Sequence, residues 1–117
     1  MSVMGAQEQL HIEVREESDR VVIGLAGELD MANAQSLRDT VEGEQLAAAK
    51  TVVLDLQQLT FLDSTGLRII LSARELCWRR GQEFAVTQGS PQVQRLLSVT
   101  GVGEHLRTLA SADEMLV

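Results

Sequence analysis

Ser64 and Thr65 lie side by side between Asp63 and Gly66, and the single cysteine is Cys77. These are the residues best suited to nucleophilic or group-transfer chemistry. A catalytic serine needs a base within reach. The only histidines are His11 and His105. Neither falls in an expected strand-to-helix loop, and no Gly-x-Ser-x-Gly elbow is present, so both read as surface or strand residues. Cys77 sits among apolar helical residues and reads as a small buried hydrophobe. With no second cysteine it forms no intramolecular disulfide. Asp55, near a strand end, invites comparison with phosphoacceptor aspartates. Glu28 and Asp30 could complete a carboxylate cluster, but no lysine follows Lys50 to complete such a site. No close His/Cys pairing predicts a metal, and no Gly-x-x-x-x-Gly-Lys or Gly-x-Gly-x-x-Gly motif predicts a nucleotide. Gly101-Val102-Gly103 reads as a helix stop. No cofactor is expected.

Composition narrows the partner. The chain has 117 residues, 44% of them apolar, and a formal net charge of −7. That charge excludes simple docking on nucleic acid or on an anionic membrane, both of which need clustered Lys and Arg. A protein partner is the natural expectation. No apolar run reaches the ~18 residues of a membrane span, and the start lacks the charge and apolar stretch of a secretory signal. A cytoplasmic, reducing location is expected.

Residues 1–9 read as a flexible arm and residues 10–117 as one domain. Leu10, Ile12 and Val14 alternate with His11 and Glu13, as in a half-buried strand. Val21 to Ala26 forms a second strand, so apolar that cover on both faces is expected. The polar turn between them predicts an antiparallel hairpin. Asp30 is the expected N-cap of a helix over 31–42, frayed at Gly43. Thr51 to Leu56 is a β-branched strand. Asp63 caps a helix over 64–80 that closes on Arg79-Arg80-Gly81, with cations at the negative end of the dipole and then glycine. Glu83 to Thr87 is a further strand. Ser90-Pro91 opens a helix over 91–100, His105 to Leu109 is a short edge strand, and 111–116 is a final short helix. The order β-β-α-β-α-β-α-β-α predicts a mixed, mainly parallel sheet of four or five strands with about four helices. Functional loops in such sheets lie where strands end and helices begin. The segments 27–30 and 61–66 both fall on that edge.

On residue types alone, Asp63-Ser64-Thr65 is satisfied by plain helix capping. Two features point further. Adjacent hydroxyls stand beside the cap where no core needs them. Gly66 in the first helical turn costs about 1 kcal/mol relative to alanine, a cost that makes sense if another surface approaches closely there.

Phe61-Leu62-Asp63-Ser64-Thr65-Gly66-Leu67, following Val52-Val53-Leu54-Asp55-Leu56, resembles the signature of STAS domains, specifically of bacterial anti-sigma factor antagonists. The likeness extends to Leu25-Ala26-Gly27-Glu28-Leu29-Asp30, to Ser90 through Leu97, and to Thr100-Gly101-Val102, in the family's order. The resemblance implies an α/β STAS fold and a protein that catalyses nothing. It implies phosphorylation at Ser64 by a partner that is both anti-sigma factor and serine kinase, with Thr65 as the alternative site. The unphosphorylated form would bind that partner and release a sigma factor; a phosphatase would restore it. Glu28, Asp30, Asp63, Ser64, Thr65, Gly66 and Arg68 would make up the partner-binding edge. Arg68 departs from the family's pattern, which has a small or apolar residue there. A constitutive STAS subunit of a scaffold or of a lipid-transport ABC complex is the competing expectation.

Overall fold

In the computed structural model, which describes residues 9–114, the alternating segment forms β1 (Leu10–Glu17). It turns at Ser18, whose φ of 59° is the left-handed conformation tight turns require. The chain returns antiparallel as β2 (Arg20–Leu29). Then follow α1 (Ala34–Glu42), a short α2 (Glu44–Ala47), β3 (Thr51–Leu62) and α3 (Ser64–Arg79). The chain ends with β4 (Glu83–Thr87), α4 (Pro91–Val99), a 3-10 turn over Val102–His105 and β5 (Thr108–Leu109). The sheet order is β1-β2-β3-β4-β5, parallel except for the first pair. The mixed, mainly parallel sheet expected from the element order is therefore present.

Strand order from β2 to β5 runs in one direction. Right-handed crossovers then place α1, α3 and α4 on the same face. Accordingly Leu37 and Val41 of α1, Ile70 and Ala73 of α3, and Val93 and Leu97 of α4 share one core with Ile23, Leu54, Leu56, Leu59 and Leu62 of the sheet. The opposite face holds a smaller cluster, Val22, Val53 and Ala85, covered by Leu109 and Ala112. Val22 is thus buried on the second face, but Gly24 and Ala26 are only half-buried. The expectation that both faces of β2 are covered holds for one end of the strand.

β3 runs six residues beyond the expected Thr51–Leu56. Its residues buried on the helix-covered face, Val52, Leu54, Leu56, Leu59 and Leu62, are spaced by two, two, three and three. The longer steps coincide with register shifts opposite Gly24/Ala26 and Gly27/Glu28, each of which adds a residue to β3. Such bulges restore the inward phase of the next leucine. At the first, the Thr87 hydroxyl donates to Asp55 Oδ1 (2.9 Å) and accepts from the Leu56 amide (2.8 Å). At the second, the Thr60 hydroxyl donates to the Gly27 carbonyl (3.0 Å). Gly27 has φ 104°, and a Cβ there would collide with the Gln9 carbonyl, so only glycine fits.

The capping expectations hold for α3 and α4. Asp63 Oδ1 accepts from the Gly66 amide, and Ser90 Oγ accepts from the Val93 amide with Pro91 at the first helical position. They fail for α1. That helix starts at Ala34 after Asn33, and Asp30 instead supports a turn over Met31 to Asn33. The short α2 over Glu44–Ala47 was not foreseen. The expected final helix is replaced over 111–114 by a turn, and 115–117 lie outside the described residues.

Cys77 is buried in the core, and burial pushes its thiol up to about 11, against a smaller opposing effect of Arg80. The thiolate is the reactive form. Native protein at pH 8 should therefore react with iodoacetamide far more slowly than protein unfolded in urea. Equal rates, followed by intact mass, would show that α3 opens readily around Cys77.

Candidate functional site

The site follows from the register. Leu29 and Leu62 are paired neighbours at the ends of β2 and β3, and both are fully buried. The next residue in each chain segment, Asp30 and Asp63, is thereby brought to the same sheet edge. The Asp63 amide donates to the Leu29 carbonyl (3.2 Å). Its carboxylate then binds two segments at once. Oδ1 accepts from the Gly66 amide at 2.8 Å and Oδ2 accepts from the Met31 amide at 3.1 Å. One side chain caps α3 and holds the β2–α1 turn against it.

That second bond explains why Asp30 is not a helix cap. With the Met31 amide held by Asp63, the chain makes an extra turn before α1. Asp30 Oδ1 accepts from the Ala32 amide (3.0 Å), and the Asp30 carbonyl accepts from the amides of Asn33 and Ala34. Asn33 is buried and braces the turn: its Oδ1 accepts from the Asp30 amide and its Nδ2 donates to the Glu28 carbonyl. Sequence reasoning passed over Asn33. Its only signal is a buried-sized amide three residues after an aspartate.

Ser64 opens α3 and is exposed. Among the described residues its hydroxyl has no hydrogen-bond partner, because Asp63 already supplies the cap. Thr65 is half-buried, while Glu28 and Arg68 are exposed. Met31 is 77% exposed and Phe61 39%, so the same edge also presents apolar surface. Gly66 differs from the expectation. It is buried, and the surface that approaches it is internal. A Cβ there would lie 2.8 Å from Leu29 Cγ and from Leu62 Cδ1, and 3.0 Å from the Leu29 carbonyl oxygen. The glycine lets α3 start flush against the sheet. The two histidines stand apart from this edge, His11 on β1 and His105 on the 3-10 turn.

Gln92 is a second residue that the sequence did not reveal. β4 stops pairing with β3 at Leu54, which leaves the outer edge of β3 open near Leu62. The Gln92 side chain takes the place of a strand there: Oε1 accepts from the Leu62 amide (2.9 Å) and Nε2 donates to the Leu62 carbonyl (3.0 Å). Replacement by alanine should cost about 1–2 kcal/mol, near two net hydrogen bonds, read as a lower urea midpoint. An unchanged midpoint would mean that water replaces both bonds.

The arrangement is an acidic edge with adjacent hydroxyls, Ser64 exposed and Thr65 half-buried, at a helix start. The STAS domain family matches residues 11–115. The anti-sigma F factor antagonist of Paenibacillus polymyxa is 35% identical over 94 residues, covering 80% of each chain. The anti-sigma-B factor antagonist of Listeria monocytogenes is 28% identical over 107 residues, covering 91% of this chain and 94% of its own. In fold, the crystal structure of an anti-sigma factor antagonist from Mycobacterium paratuberculosis superposes with a TM-score of 0.82 at 24% identity, covering 94% of this chain and 93% of that one.

Proposed function

The chain belongs to the STAS domain family, with anti-sigma factor antagonists among its relatives, and from that premise we propose that it is a cytoplasmic antagonist of an anti-sigma factor. Its unphosphorylated form binds an anti-sigma factor that is also a serine kinase, and so frees a sigma factor. Phosphorylation of Ser64 ends that binding, and a phosphatase restores it. The chain is the substrate of both enzymes and catalyses nothing itself. Residues 10–117 act as one binding domain. The contact edge comprises Glu28, Asp30, Asp63, Ser64, Thr65 and Arg68, and Gly66 serves it from beneath.

The observation that carries this reading is the free, exposed Ser64 hydroxyl at the start of a helix whose cap is a different residue. A phosphate there adds roughly −1.5 to −2 charges. The amides and dipole of a helix N-terminus tolerate negative charge. The domain therefore stays folded while its surface changes. The test is incubation with an anti-sigma serine kinase and ATP. One phosphate should appear and map to the peptide holding Ser64, and it should be absent from Ser64→Ala. Phosphate on the alanine variant at the wild-type level would move the site, first to Thr65.

A further inference from the structure

Arg68 stands one helical turn beyond Ser64 on α3, and both residues are exposed. Residues four apart lie on one helix face, and side chains lean toward the helix N-terminus. A long side chain at 68, which here lines the groove between α1 and α3, is therefore within rotamer reach of a charged group at 64. Among the described residues Arg68 has no hydrogen bond or ion pair. The surrounding acids are otherwise engaged or placed elsewhere. Asp63 and Asp30 accept from backbone amides. Across the groove between α1 and α3 that Arg68 helps to line, Glu42 pairs with Arg38 at 3.3 Å. Asp39 on α1 accepts from Gln35. Glu75 is two turns further along α3, and Glu28 is on β2.

We infer that Arg68 is the intramolecular counter-cation of a phosphate on Ser64, an inference that rests on the phosphorylation reading above. An unmodified serine offers Arg68 no charge to pair with; a phosphate does. Acid at i with base at i+4 is the favoured order on a helix, and the guanidinium fork matches phosphate oxygens two at a time. Arg68 favours the dianionic phosphate, whereas Asp63, Asp30 and Glu28 disfavour it. Neutralised in part, the phosphate is held along α3 and less of its charge faces a partner.

The experiment installs phosphoserine at position 64 during translation, so no kinase is needed. Phosphorus NMR then follows its titration in the wild type, Arg68→Gln and Arg68→Lys. The midpoint should rise by roughly 0.3 pH unit in Arg68→Gln. Arg68→Lys should undo most of that rise. The difference should shrink in 1 M NaCl, where screening acts within about 3 Å. Equal midpoints in the wild type and Arg68→Gln overturn the inference. Since the phosphate is supplied directly, the shift would survive even if no kinase modified Ser64, so the two readings fail separately.

Discussion

Ser64→Asp should bind the anti-sigma partner at least roughly tenfold more weakly than the wild type, a loss of about 1.4 kcal/mol, and Ser64→Ala should bind as the wild type does. Enzymatically phosphorylated protein should bind more weakly than either. The order follows charge. Aspartate carries one negative charge and lacks the three acceptor oxygens of a phosphate, which carries up to two. Like charges brought together across an interface cost several kcal/mol, and Glu28, Asp30 and Asp63 already make this edge acidic. Misfolding would not explain the loss. Negative charge at the first helical position is favoured by about 0.3–1 kcal/mol, and Asp63 keeps its bonds to the Gly66 and Met31 amides. Calorimetry on the three proteins, with urea midpoints alongside, separates the effects. Equal affinity for wild type, alanine and aspartate would reject a charge switch. It would favour a permanently docked subunit of a scaffold or of a lipid-transport ABC complex.

What the sequence revealed and what it hid divide along physical lines. Period-two alternation marked β1, and β-branched density marked the first half of β3, because both depend on local side-chain phase. The second half of β3 was hidden because its bulges break that phase. Gln57 and Gln58 are exposed neighbours, and the leucines at 59 and 62 follow at spacings of three. Such spacing reads as the end of a strand unless the partner's register is known. Asp63 was legible as a cap, since its donor, the Gly66 amide, is three residues away. Its second bond, to Met31, spans 32 positions and depends on β2 and β3 ending together. That long-range bond changes the role of Asp30. Gln92 was hidden for the same reason: its two bonds to Leu62 cross 30 positions. Residue types thus announced the exposed hydroxyl. The tertiary register determined which carboxylate caps the helix and which supports the turn.

Gly66→Ala tests how far that register depends on close approach. Two effects oppose. Alanine in a helix is more favourable than glycine by about 1 kcal/mol. The added methyl, however, would lie 2.8 Å from Leu29 Cγ and Leu62 Cδ1 and 3.0 Å from the Leu29 carbonyl oxygen. Overpacking of this kind costs typically 1–3 kcal/mol. Neither leucine can easily give way: both are fully buried, and the third contact is backbone. With fully buried leucines and a backbone carbonyl in the way, the steric cost should lie in the upper part of that range and exceed the propensity gain, leaving the protein less stable by up to about 2 kcal/mol. Relief would come by lifting the first turn of α3 off the sheet. That lengthens the 2.8 Å bond from the Gly66 amide to Asp63 and loosens the Met31 bond on the same carboxylate. Partner affinity should therefore fall in Gly66→Ala even at temperatures where the protein stays folded. Amide exchange should also quicken at Met31 and Gly66 while the middle of β3 remains protected. A raised urea midpoint with unchanged exchange would show that helix propensity wins and that the start of α3 is not held flush against Leu29.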